Sequence, residues 1–320
     1  RGRHVAGAFI ENVDGRTAIR SKVTVDCTGN GDFFFRAGAP WVKGNTLQPM
    51  TMPFRIGNVK LDPAIDQNAT AIIPIGPDAV LLQEPLLGEV ASRRSDVDCD
   101  RAEMRAAQER GELPLFGGPW FGGLEKDIVW VNTTRVLGDA SDAVELTRAE
   151  IEGRKNVQTL LAYFKEHLPG FEEARLLHTS TQIGVRETRR LDGAATLTGD
   201  DIRAGVNSAD GIAVGCWPID VHPAGRGVGV HAMYVPRPYT IPYDCLVPKS
   251  ITGLLTAGRC ISVDRDALGS TRVGATCAAT GEAAGTAAAL SALESADPSS
   301  FPVARLREVL EANGAIVSAP

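Results

Sequence analysis

The chain has six cysteines but no C-x-x-C pair: Cys27, Cys99, Cys216, Cys245, Cys260 and Cys277 stand far apart. That spacing excludes a metal knuckle and a thioredoxin-like motif, and no metal site is expected. Buried reduced thiols are the plain reading; a redox pair formed in space is the other. Long basic runs are missing too, and the formal net charge is -6. Nucleic acid and a polybasic membrane anchor are therefore not expected. Leu/Ile-rich runs of spanning length are absent. The nearest, residues 273–293, is built of Ala, Gly and Thr and carries Glu282, so it reads as a buried soluble helix rather than a transmembrane segment. Gly281-x-x-x-Gly285 within it suits close helix packing in either setting. There is no initiating Met and no signal peptide. Arg1 leads at once into a strand pattern, so a missing N-terminal segment is expected; the lack of a visible signal peptide therefore says nothing about secretion, and the compartment is open, with the cytoplasm as default.

What is present is a hydrophobic fraction of 43% over 320 residues, ample for a large core or two domains. Gly 34 and Pro 19 predict many tight turns. Residues 4–10 and 18–25 alternate and are joined through Asp14-Gly15, a hairpin signature. A strand then ends in Thr28-Gly29, and a short helix is predicted after it. Residues 47–59 read as a strand and 99–110 as a helix stopped by Gly111 and Pro114. Gly117-Gly118-Pro119 and Gly122-Gly123 read as loops, followed by a strand at 127–133. Thr147-x-x-Glu150 is a capping box in front of a stripe that includes Ile151, Val157, Leu160, Leu161 and Phe164; Pro169-Gly170 ends that helix. Residues 212–221 and 228–234 read as strands, and Ser300 with Pro302 starts a terminal helix closed by Gly314.

The most informative stretch is residues 239–290. It predicts a short buried strand at 254–257, a Gly258-Arg259 break, an irregular loop and a long helix of small residues. A strand that ends at Gly and feeds such a helix sets unpaired N–H donors and the positive end of the helix dipole against a ligand. Gly and Ala let a flat cofactor or another backbone come close.

These segments resemble a known family. VTVDCTGNGDFFFRAGAP (residues 23–40) is similar to the strand, Asp-Ala-Thr-Gly-Asp-Gly-Asp turn and helix of FAD-dependent oxidoreductases related to fumarate reductase and glutathione reductase. Cys27 stands where Ala is usual and Asn30 where Asp is. Residues 179–190 resemble the Gly-x-Arg-Glu-Ser-Arg-Arg element, with Thr188 in place of Ser. Trp217 to His222 resembles the Ile-Asp-x-His element, and residues 239–247 and 254–262 the Ile-Pro-Tyr and Leu-Leu-x-Ala-Gly-Arg segments. The family's opening Gly-x-Gly-x-x-Gly unit is missing. Gly225-Arg226-Gly227-Val228-Gly229 runs into a strand-like segment and is a decoy. The resemblance therefore implies the C-terminal portion of such an enzyme, a fragment or one half of a split protein. It implies an α/β fold: a discontinuous FAD-binding Rossmann-like domain, incomplete here (1–45 and 246–296), an inserted α+β substrate domain (46–245) and a C-terminal helix (297–320).

The cofactor implied is FAD, with Thr28 and Gly29 beside its ADP half, Gly258 and Arg259 at the turn, and Ser270, Thr271, Arg272 and Val273 opening the long helix over the flavin. The other reading of that helix is a buried Ala-rich core element. His222, at a loop mouth, is the first candidate for proton transfer, against a structural loop histidine; His231 sits in a strand pattern. Tyr243 is a second proton candidate, and Tyr239 and Tyr243 read equally as core. In Arg186-Glu187-Thr188-Arg189-Arg190, either the charges are solvated, or an inward arginine such as Arg186 pairs with Glu187 or holds an anionic substrate group. The expected function is hydride transfer between a small polar substrate and flavin N5. The alternatives are a non-redox lyase or hydratase on a flavoprotein fold, and a non-catalytic subunit needing a partner chain that carries the dinucleotide unit. Oligomerisation is compatible with either.

Overall fold

Asp14-Gly15 turns the chain as its residue types require. Strands β1 (Gly7–Asn12) and β2 (Gly15–Arg20) pair antiparallel from Gly7↔Arg20 to Asn12↔Gly15. The computed structural model describes residues 3–60, 100–125, 127–222 and 234–319. Next comes β3 (Thr24–Asp26), then α1 (Asp32–Ala37) and β4 (Trp41–Val42). The buried Asp26 carboxylate organises this turn: it accepts from Thr28 N at 2.9 Å, Thr28 Oγ1 at 2.7 Å and Phe34 N at 2.8 Å.

The middle of the chain builds β5 (Phe54–Gly57), α2 (Arg101–Glu109), β6 (Phe116–Glu125), β7 (Ile128–Thr134), α3 (Ala143–His167) and β8 (Arg175–Thr179). The sheet is antiparallel in the order β6-β7-β5-β8. Alternate residues point to one face, so Phe54, Ile56, Val129 and Val131 are buried together with Val157, Leu160 and Phe164 of α3. A second core gathers the remaining elements: β9 (Arg190–Leu191), which pairs with β4, then α4 (Gly199–Ala204), β10 (Gly211–Gly215), β11 (Tyr239–Pro242), β12 (Leu254–Thr256), α5 (Arg265–Thr271), α6 (Gly274–Glu294) and α7 (Val303–Ala312). β12 lies parallel to β3, Leu255 opposite Val25, which joins two segments distant in sequence. Helix α6 buries Thr276, Thr280, Ala283, Ala284, Ala287 and Ser291 on one face. Small side chains there let neighbouring backbone approach: Gly258 N donates to Thr280 Oγ1 at 3.1 Å.

This is the α/β arrangement expected, with helices and strands in small sheets. No helix among the described residues is long and apolar enough to cross a membrane. Four local expectations need correction. Helix α3 starts before the Thr147 box: Asp142 caps it by accepting from Val144 N at 2.8 Å and Glu145 N at 3.0 Å. Thr147 Oγ1 instead donates within the helix to Ala143 O, and Glu150 reaches out to accept from Ile183 N at 2.7 Å. Ile151 faces solvent rather than the stripe. The glycine-rich loops at 117–123 form strand β6, with register shifts that glycine tolerates. Cys27 and Cys216 are exposed, while Cys245 and Cys260 are buried; these and Cys277 are free thiols. Cys99, His231, the Gly225–Gly229 run and the strand read at 228–234 lie outside the described residues, apart from Tyr234, which bridges Ile219.

Phe164 is fully buried and meets Phe121 edge-to-face, with ring centroids 5.4 Å apart. Phe164→Ala is expected to cost about 3–5 kcal/mol of stability, measured as a lowered urea midpoint at unchanged slope. A midpoint within error of the parent's would show that this sheet–helix contact is not a core.

Candidate functional site

Helices α5 and α6 meet at Arg272-Val273, and the junction is not the continuous opening turn expected. Ser270 and Thr271 close α5, and Arg272 is its C-cap. Val273 is extended (φ -76°, ψ 153°) and is the N-cap of α6. Ser270 is fully buried; its Oγ donates to Trp217 O and shares a 2.6 Å hydrogen bond with the Tyr239 hydroxyl. Thr271 is buried with its Oγ1 unpartnered among the described residues. The start of α6 has no side-chain cap and no acid in its first turn. Gly274 and Ala275 are exposed, and a Cβ at Gly274 would meet nothing within 4 Å. Among the described residues, the unpaired donors and the positive helix end thus face open space. Beside them Gly258 turns at φ +80°, where a Cβ would come no nearer than 3.8 Å, to Cys277.

Arg259 ties this turn to the loop after β3. Its Nη2 donates to Asn30 Oδ1 at 2.8 Å, and its Nη1 to Thr188 Oγ1 at 3.4 Å. Gly29 adopts φ +73°, and a Cβ there would stand 2.9 Å from Arg259 Nη2. The positive φ calls for glycine here, while the flexible end of Arg259 fills the space beside it. Thr28 is exposed, its hydroxyl set between Asp26 and the Asp32 amide at 2.9 Å.

The charged run at 186–190 divides its partners. Arg190 pairs with buried Glu187 at 2.9 Å, and Arg189 with Asp32 at 2.8 Å while lying over the Phe35 ring. Arg186, only 8% exposed, receives neutral acceptors: Pro49 O at 2.6 Å and Thr51 Oγ1. The same hydroxyl accepts from Arg135 Nη1 at 3.0 Å and donates its proton to Thr134 O. Arg135 was not singled out by the sequence. The signal was an arginine directly after the apolar strand β7 and its two threonines. On the far side, Arg272 Nη2 donates to Asp220 O at 2.9 Å and lies 3.4 Å from Asp220 Oδ2; His222 Nε2 is 3.2 Å from that same oxygen. His222 N donates to Gln48 Oε1 at 2.9 Å. Gln48 Nε2, Arg135 Nη2 and Arg272 Nε are buried with no partner among the described residues.

Electrostatics follow from this packing. Burial and the neighbouring arginines pull Arg186 well below its ordinary range; burial, then Arg272, pulls Arg135 down to about 10 against the favourable pull of Asp220. Burial lowers Arg272 too. Burial is also the main cause at His222, which falls to about 4; Arg186 and Arg135 add to it and Asp220 opposes it. The imidazole is therefore neutral at pH 7, with the Asp220 carboxylate favouring the Nε2–H tautomer. Tyr243 is set apart. Its hydroxyl donates to Pro298 O at 2.8 Å, burial raises its pKa, and it packs in the helix-side core with no bond to the His222 group.

Residues 1–310 match the family described as FAD dependent oxidoreductase. The chain belongs to that family. FAD is its cofactor, as the family's description states. No curated protein and no solved structure matches the chain.

Because His222 is neutral when folded and its ordinary pKa is 6.5, the unfolded chain binds more protons between those values. Its contribution to stability is complete above about pH 6.5 and is lost as pH falls toward 4. Between pH 7 and 4.5 the parent is expected to lose about 2–3 kcal/mol more than His222→Gln, measured by urea unfolding. Identical pH profiles for the two proteins would show that the imidazole is not buried neutral.

Proposed function

We propose that the chain is an enzyme that moves a hydride between a small polar substrate and flavin N5, at the site bounded by the start of α6 and the His222–Asp220 pair. The observation that carries this reading is the uncapped N-terminus of α6, open at Gly274 among the described residues and following the half-buried Arg272. The residues present suit a flavin. A flat ring with an electron-rich edge matches unpaired N–H donors, the roomy Gly258 turn and the unpartnered Thr271 hydroxyl. Arg259, Gly29 and Thr28 would border the same cofactor on the β3 side, in keeping with a discontinuous cofactor domain formed by residues 1–45 and 246–296 around a substrate domain at 46–245.

Bound FAD would supply the hydride acceptor. The chain's residues do the rest. The α6 amides hold negative charge on the ring's edge without a side chain. His222, kept neutral by burial and by Arg186 and Arg135, accepts the proton of a substrate hydroxyl or amine on Nδ1 as the neighbouring C–H electron pair leaves. Asp220 beside Nε2 then stabilises the imidazolium. Tyr243 takes no part, because its proton is held by Pro298.

With substrate added anaerobically to the FAD-loaded protein, the flavin band near its visible maximum is expected to bleach; His222→Ala should slow that bleaching about 10²–10⁴-fold. Turnover without bleaching would point to lyase or hydratase chemistry instead. Unchanged reduction in His222→Ala would remove the imidazole from proton transfer.

A further inference from the structure

Arg135 and Arg186 are buried and Arg272 is half-buried, all three within the field of the Asp220 carboxylate, with Glu187 acting on Arg272 as well. Among the described residues, neither Arg135 nor Arg186 forms an ion pair, although every other arginine of the 186–190 run has a carboxylate of its own. Buried charge without a counter-charge is costly, so a chain that keeps two such groups side by side is arranged for an anion that comes and goes. The Thr51 hydroxyl fixes the pair. With its proton on Thr134 O, it has lone pairs only for the two guanidiniums, which brings Arg135 Nη1 and Arg186 Nη1 to the same oxygen. Gly117 makes room, since a Cβ there would lie 2.7 Å from Arg135 Nη2. That Nη2 and Gln48 Nε2 are buried donors without acceptors, and Gln48 also holds the His222 backbone.

We propose that Arg186 and Arg135, with Gln48 and Arg272 beside them, bind a carboxylate of the substrate, so that the substrate is a small carboxylic acid anion. A planar carboxylate accepts two guanidinium forks with little adjustment. Arg135 directly follows β7 and Arg186 lies in the segment before β9, both outside the β3–β12 pair, while Arg272 starts the junction into α6. The anion would thus be held between the antiparallel sheet and the proton-accepting His222. Calling this ligand a substrate rests on the redox reading above; the anion site itself does not.

The test is calorimetric titration of the FAD-loaded protein, any partner retained, with acetate, glycolate and malonate, and with inorganic phosphate for comparison. Melting temperatures and flavin content are recorded alongside. At least one carboxylate is expected to bind more tightly than phosphate. Arg186→Gln and Arg135→Gln should each weaken it about 10–100-fold, with Arg186→Lys recovering part of the loss. Since each Gln variant removes a buried charge that has no ion-pair partner among the described residues, neither should melt more than about 5 °C below the parent. No carboxylate binding, tighter phosphate binding, equal affinity in the variants, or a large fall in melting temperature in both Gln variants would overturn the proposal. Flavin bound normally without carboxylate binding would sink this inference and leave the redox reading intact. Carboxylate binding lost in the variants of a protein that holds no flavin would support the anion site and sink the redox reading.

Discussion

Burying positive charge is what constrains this site most. Among the described residues, three guanidiniums gather where Asp220 and Glu187 supply negative charge and the neutral oxygens Pro49 O, Thr51 Oγ1 and Thr134 O accept hydrogen bonds. Pro49 and Thr51 precede β5, Thr134 ends β7 and Asp220 follows β10, so the cluster exists only when those segments and the 186–190 run are all in place. The same field sets the state of His222. Burial first, with Arg186 and Arg135 adding to it, outweighs the pull of Asp220, so the imidazole stays neutral and able to accept a proton.

The fold delivers these groups by backbone means. Thr51 pairs with Gly184 and Met50 with Val136, which fixes the strand edge carrying Arg135 against the stretch leading to Arg186. The extended Val273 separates α5 from α6, so Arg272 points to Asp220 while the new helix begins uncapped. Arg259 closes the other side, holding Asn30 and Thr188 together across the Gly29 turn. Charge, helix end and turn thus meet near one place, and a flavin enzyme has use for each of them.

Much of this was legible in the sequence because it is local. Asp14-Gly15 specifies its hairpin, Pro169-Gly170 ends α3, and the run at 254–257 reads as buried strand from its composition. The failures are cases where two local signals compete or where the cause is distant. The Thr147 box draws the reading of the helix start, whereas the structure caps the helix at Asp142, whose carboxylate accepts from Val144 N and Glu145 N. Glycines in β6 hide its alternation. The split between α5 and α6 depends on Arg272 reaching Asp220, fifty-two residues earlier. Gly29 looked like a residue spared for a cofactor, yet the atom it makes room for within the chain is Arg259 Nη2. An evenly charged run at 186–190 resolved into paired and unpaired arginines only through Asp32, Glu187 and Thr51, and Arg135 gave almost no signal at all.

The most direct measurement is a crystal structure of the protein with FAD bound, any partner chain retained. The account predicts the flavin ring against the Gly274–Ala275 amides, with Arg135 and Arg186 still unpaired by protein carboxylates and open beside it. A ring bound elsewhere, or an α6 start covered by the chain's own side chains with FAD in place, would contradict it.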